Sequence, residues 1–171
     1  MAANHSDSSD EATGWPPQYL PALALRERLE EEVNRAGRHG TPLSCLALGV
    51  EDLGEIERVY GATLSLQIQA YVGLALRSEL RRFDRVGLAD DGELLIVLPG
   101  ADAPRAEVVA RRLLGRLRAL KLQGGVGERR ALRIAVGLAS WREGLSAQQL
   151  LADAHAALGR ERLGFRDALR L

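Results

Sequence analysis

Hydrophobic positions change their spacing several times along the chain, and each change marks a predicted element. Between residues 21 and 36, Leu23, Leu25, Leu29 and Val33 recur at helical spacing among Arg and Glu, and Gly37 with Gly40 ends the pattern. This predicts an opening helix. Residues 42–50 are a short continuous apolar run bounded by turn residues, as expected of a central strand covered on both faces. A short helix over 51–60 follows, then a longer one over 63–80 with Leu64, Ile68, Tyr71, Val72, Ala75 and Leu76 along one side.

Residues 85–88 and 94–98 can pair as a hairpin across Ala89-Asp90-Asp91-Gly92, where glycine accepts a positive φ and aspartate caps its own turn. Pro104 sits in the first turn of a helix predicted to reach about 122. Gly124-Gly125-Val126-Gly127 reads as a flexible loop and 130–140 as another strand. Ser146 is a good N-cap for a helix over 147–162. The order βααββαβ, closed by a helix, predicts an α+β, palm or ferredoxin-like sandwich, with helices packed around a mainly antiparallel sheet and read as lying against one of its faces.

The chain has 171 residues, 46% of them hydrophobic, enough for one ordinary core and hardly two. Residues 1–18, rich in Ser, Asp, Ala and Pro, are expected to form a flexible polar N-terminal tail ending at Trp15-Pro16-Pro17. The folded domain is expected over 19–164 and a C-terminal tail over 165–171. No internal repeat is visible.

Charge narrows the function classes. Lys and Arg total 23, as do Asp and Glu, and the signs alternate along the predicted helices, so no field suited to nucleic acid arises. Lys121 is the only lysine, and the excess of arginine reads as a compositional bias. The single cysteine, Cys45, lies in an apolar run and reads as a small buried residue in a reducing compartment. No apolar run approaches a membrane span and the N-terminus lacks a signal-peptide pattern, so the expectation is a cytoplasmic protein without membrane insertion. His5, His39 and His155 are scattered, without metal-site spacing, and Ser146 has no positioned base. No catalytic residue, metal or cofactor is assigned from the sequence.

Several local sequences, in order and at the right spacing, resemble the GGDEF family, the diguanylate cyclases that join two GTP molecules into cyclic di-GMP. Leu20-Pro21-Ala22-Leu23-Ala24-Leu25-Arg26 is similar to the family's LTGLxNR, Val59-Tyr60-Gly61 to NDxYGH, Ala135-Val136-Gly137-Leu138-Ala139 to SIGIA, and Ala152-Asp153 to ADxALYxAK. The resemblance covers roughly residues 20–164.

The departures bear on activity, because catalysis in this family uses carboxylates that hold divalent metal at the triphosphate. The resemblance places Gly49 where the metal-binding Asp ends the first strand, Glu57 and Arg58 at the guanine-reading Asn and the Asp after it, and Ser65-Leu66 at the following Gly-Asp. The signature becomes Asp90-Asp91-Gly92-Glu93-Leu94, with Glu93 alone in register. Glu51, Asp52, Asp90 and Asp91 offer carboxylates one or two residues away, but a one-residue shift in a strand reverses the side chain's face. Glu51 and Asp52 are therefore read as helix caps, and Asp90 and Asp91 as turn residues. Arg160 takes the place of the family's phosphate-contacting Lys. The expectation is a degenerate domain that is not an enzyme.

Arg81-Arg82-Phe83-Asp84 matches in register the family's RxxD inhibitory site for cyclic di-GMP. The chemistry is sensible: a guanidinium fork suits guanine O6 and N7 or a phosphate, and a carboxylate accepts from N1 and N2. The resemblance implies a further arginine from the next helix, Arg112 in the better register or Arg111. The resulting expectation is a bacterial signalling protein: a catalytically inactive receptor that binds cyclic di-GMP through Arg81, Asp84, Arg112 and Arg111 and passes that state to an unidentified signalling protein, with homodimerisation a further option. The alternatives are a ligand-independent interaction or dimerisation module, and a GTP-binding or residual cyclase domain.

Overall fold

The computed structural model describes residues 19–89, 92–124 and 128–168, so the expected tail over 1–18 and the turn residues Asp90 and Asp91 lie outside the described residues. A two-residue strand β1 (Leu20–Pro21) leads into α1 (Ala22–His39), whose chain reverses at Gly40 in the left-handed conformation. The strand β2 (Leu43–Val50) is followed by α2 (Leu53–Tyr60) and α3 (Ala62–Glu79). The hairpin of β3 (Arg85–Leu88) and β4 (Leu94–Pro99) precedes α4 (Ala103–Arg118), and a second hairpin, β5 (Lys121–Gly124) with β6 (Glu128–Ala131), precedes β7 (Ile134–Ser140) and α5 (Ala147–Ala168). No described helix is long and apolar enough to cross a membrane.

The main sheet has the order β1-β3-β4-β2-β7, and every pairing in it is antiparallel except β1 with β3. Leu46 of β2 sits between Ile96 of β4 and Leu138 of β7. The pleat sends Leu46 and Leu48 into one core with Ile96, Ile68 and Leu113, and Cys45 and Ala47 into another with Leu25, Val97, Leu150 and Leu158. Burying each of these larger side chains stabilises by about 1.5–3 kcal/mol relative to exposure.

Helices therefore cover both faces, α2, α3 and α4 on one and α1 and α5 on the other, which corrects the reading of helices against a single face. The cause is in β2 itself: an apolar strand without alternation needs two covers. Other boundaries moved as well. The helix expected to reach 122 stops at Arg118, and the segment expected to be a loop and the start of one long strand carries the β5–β6 hairpin instead. At α5, Ser146 and Gln149 form a reciprocal capping box, with the Gln149 amide donating to Ser146 Oγ at 3.1 Å and the Ser146 amide donating to Gln149 Oε1 at 2.9 Å. That helix runs on to Ala168, beyond the expected end at 162.

Candidate functional site

Two places on the domain carry the chemistry singled out in the sequence. The first is the turn between α3 and β3. Helix α3 ends at Glu79, Leu80 turns extended, and the chain is closed by two hydrogen bonds between Arg81 and Asp84. The Arg81 amide donates to Asp84 Oδ2 at 2.6 Å, and the Asp84 amide donates to the Arg81 carbonyl at 3.1 Å. Arg85 Nη1 fixes the turn from the other side by donating to the carbonyls of Arg82 and Asp84 at 2.8 and 3.0 Å.

This turn forms part of the wall of a cleft of about 400 Å³ lined by Arg77, Arg81, Arg82, Asp84 and Arg85, together with Tyr19. Four arginines against one carboxylate give the cleft a positive character suited to an anionic ligand. Arg77, Arg81 and Arg82 are exposed, while Asp84 is half-buried. Burial pushes the Asp84 carboxyl above its ordinary range, opposed by the hydrogen bond from the Arg81 amide and by the charges of Arg81 and Arg85.

The two arginines expected from the next helix are placed differently. Arg111 lines a separate cleft against β7 with Arg118 and Glu161, and Arg112 is exposed on α4 and does not line the Arg81–Asp84 cleft. Instead, α3 and β3 contribute Arg77 and Arg85, neither of which the RxxD spacing points to. Arg116 of α4 reaches α3 by ion pairing with Glu79.

The second place is the end of β2. Arg162 of α5 is bound there between two carboxylates: its Nε donates to Glu51 Oε1 at 2.7 Å and its Nη1 to Glu93 Oε1. His155, two turns earlier on α5, lies 2.8 Å through Nδ1 from Glu93 Oε2. A Cβ on Gly49 would strike the Arg162 guanidinium and approach Glu51 Oε1 to 2.8 Å, so glycine at 49 is what gives the arginine room. Burial of the guanidinium works against its charge, yet the hydrogen bonds to Glu51 and Glu93 outweigh it and hold Arg162 above its ordinary pKa.

Neither Glu51 nor Asp52 caps α2 with its side chain, contrary to expectation. Asp52 is the N-cap residue by position but adopts a left-handed φ of 64°, and its carboxylate grips Arg133, with Nε to Oδ2 at 2.6 Å. Glu51 is committed to Arg162. Among the described residues no group of three or more His, Cys, Asp or Glu is arranged to hold a metal ion, and a guanidinium already bridges the two carboxylates at this end of the sheet. As arranged, these residues do not fit a divalent cation.

Sequence reasoning assigned the basic position on α5 to Arg160 and missed Arg162. The signal was present in the spacing: Leu151, His155, Leu158 and Arg162 form a 4-3-4 stripe on one helix face, and the buried Leu151 and Leu158 show that this face meets the sheet. Arg160, two residues away, points elsewhere.

The family model described as "Diguanylate cyclase, GGDEF domain" matches residues 10–167. Diguanylate cyclase DosC of Escherichia coli is 30% identical over 141 residues, 82% of this chain and 30% of its own length, and diguanylate cyclase DgcP of Pseudomonas aeruginosa is 24% identical over 95% of the chain and 24% of its own length. The chain thus spans less than a third of either curated relative. Among solved structures, diguanylate cyclase SiaD of P. aeruginosa, in complex with its activator SiaC, aligns with a TM-score of 0.76 at 27% identity, over 85% of this chain and 56% of that one. The GGDEF domain of DgcB from Caulobacter crescentus, in complex with c-di-GMP, aligns at 0.78 and 17% identity, over 85% and 86%. These matches overturn the expectation that the chain is not an enzyme, because the family model and the curated relatives are those of diguanylate cyclases.

Proposed function

The chain belongs to the GGDEF family of diguanylate cyclases, and from that membership we propose that this domain binds cyclic di-GMP in the Arg81–Asp84 cleft and passes its occupancy to a signalling protein. The observation that carries this reading is the convergence of Arg77, Arg81, Arg82 and Arg85 with the single carboxylate of Asp84 on one cleft of about 400 Å³. Arg81, exposed at the mouth, forks onto a guanine O6 and N7 or a phosphate, and Asp84 accepts from guanine N1 and N2. The surrounding arginines neutralise the two phosphates of the ligand. The c-di-GMP held by the DgcB domain is consistent with a ligand of this class on this fold.

Calorimetric titration of the purified protein with cyclic di-GMP tests the reading. Micromolar or tighter binding that Arg81→Ala abolishes supports it; unchanged affinity in Arg81→Ala defeats it. An absence of heat and of any thermal shift favours a ligand-independent interaction or dimerisation module on the same fold.

Synthesis of cyclic di-GMP is the activity in the names of the curated relatives, and a second reading is that this domain shares it. The residues it would have to use at the end of β2 are Glu51, Glu93 and Arg162. Turnover of GTP by the wild-type protein, followed by pyrophosphate release and product chromatography, tests that reading directly.

A further inference from the structure

The main sheet ends on one side in a seven-residue strand. β7 pairs with β2, and among the described residues no strand lies on its other side. The register fixes which backbone groups are left there. The Glu51 amide donates to the Arg133 carbonyl and the Trp141 amide to the Leu43 carbonyl, both at 2.8 Å, so the odd-numbered residues of β7 face β2. Ile134, Val136, Leu138 and Ser140 therefore turn their amides and carbonyls toward the open edge. A cleft of about 230 Å³ lies along it, lined by Val136 and Leu138 and flanked by exposed Glu107, Arg111 and Arg118 of α4 and Glu161 of α5.

We propose that this edge pairs with the same edge of a second copy, β7 against β7 in antiparallel register about a two-fold axis at Gly137, joining the two sheets into one. That register sets Val136 opposite Leu138 and Ile134 opposite Ser140 of the other copy, so all four outward residues exchange hydrogen bonds. Charge selects the occupant. β4 and β7 are both antiparallel to β2 and so parallel to each other, and α4, which connects them, runs back the opposite way. Glu107 thus lies toward the end of β7 and Arg118 toward its start, about 16 Å apart at 1.5 Å per residue. The two-fold axis brings Glu107 of each copy to Arg118 of the other. Arg111, nearer the axis, meets its own counterpart, and Glu107 at 3.8 Å and Glu161 in the same cleft offset that charge. Flanking charges ordinarily guard a sheet edge against pairing, but here both signs occur in an order that symmetry matches. An unrelated strand would have to carry that order by chance.

This surface lies at the opposite edge of the sheet from the Arg81–Asp84 cleft, which β1 and β3 border, and it needs no ligand. The test is sedimentation of the whole protein over a concentration series without nucleotide, so it stands apart from the reading of that cleft. Wild type is expected to form a dimer that dissociates on dilution. Val136→Pro should fold and be monomeric, because its amide faces the open edge and no bond to β2 is lost, whereas Ala135→Pro removes such a bond and should melt far earlier. Glu107→Arg alone and Arg118→Glu alone should each weaken the dimer at least about tenfold by setting like charges together, and the two combined should restore it. Both positions are exposed, so these variants decide the matter even where Val136→Pro lowers the melting temperature. A wild type that stays monomeric overturns the proposal, even if a synthetic peptide of residues 134–140 still adds to the edge. So does a dimer that survives Val136→Pro, or a double reversal that leaves the dimer as weak as either single change.

Discussion

The guanidinium of Arg162 fills the space that a side chain at position 49 would take, and glycine is the residue that permits it. One cation from the last helix thereby joins Glu51, just past the end of β2, to Glu93 at the start of β4. Arg162→Ala is expected to lower stability by about 1–3 kcal/mol, less than for a fully buried pair because the arginine side chain is 34% exposed. In the Arg162→Ala background, Glu93→Gln should cost less than in wild type, since the bond from Arg162 to that carboxylate is already gone. Urea denaturation across the double-mutant cycle measures this, and strictly additive losses would show that the pair contributes nothing.

Affinity for cyclic di-GMP should depend on pH through Asp84. The carboxylate must be ionised to accept from guanine, and burial places its pKa above the ordinary range. Binding is therefore full well above that pKa and is lost as pH falls through it, beginning nearer neutrality than for an unperturbed aspartate. In the free protein the sign is opposite: a raised folded pKa adds stability below the unfolded value that disappears as pH rises through the folded one. Calorimetry over a pH series, with Asp84→Asn as the control, should give a sloping affinity for wild type and a weaker, flat one for the variant.

Gly137→Ala should be severe. A Cβ on this β7 residue would collide with the backbone of α5 at Ala154 and Leu158 and lie 2.8 Å from the Ala157 carbonyl carbon. Backbone cannot swing aside as a side-chain end can, so the cost is expected to exceed the ~1–3 kcal/mol of ordinary overpacking. A fall in melting temperature of several degrees is the readout; an unchanged melt would mean that α5 is not seated on β7 as described.

Cys45 should be inert in the folded protein. It is 1% exposed, and burial pushes its thiol up to about 12, so almost no thiolate exists at neutral pH. Labelling with a maleimide is expected only as the protein unfolds, so its rate should track urea concentration. Rapid labelling without denaturant would contradict the packing of β2.

Much of the architecture was legible because the hydrophobic spacing was strong. The run from Leu43 to Val50, the stripe on α3 and the turn ahead of Leu94 each determine their own element. The β5–β6 hairpin was not, because four residues per strand with a single apolar one in each, Leu122 and Ala131, carry no periodic signal. At the site, Arg81 and Asp84 were found because they lie in one turn and are measured by sequence distance. Arg77 and Arg85 reach the same cleft from a helix and a strand, and Arg162 meets Glu51 across 111 residues, which no local pattern encodes.

In the proposed binding mode, the hydrogen bond from the Arg81 amide to Asp84 Oδ2 makes one carboxylate serve two tasks. The atom that shapes the end of α3 belongs to the same group that is to meet the base, so a bound ligand draws on electron density that otherwise holds the chain in its path. Recognition and response then require no relay between distant parts of the molecule. On the proposed reading the detector is itself a joint, and a protein resting on that corner would sense occupancy at the point where it occurs.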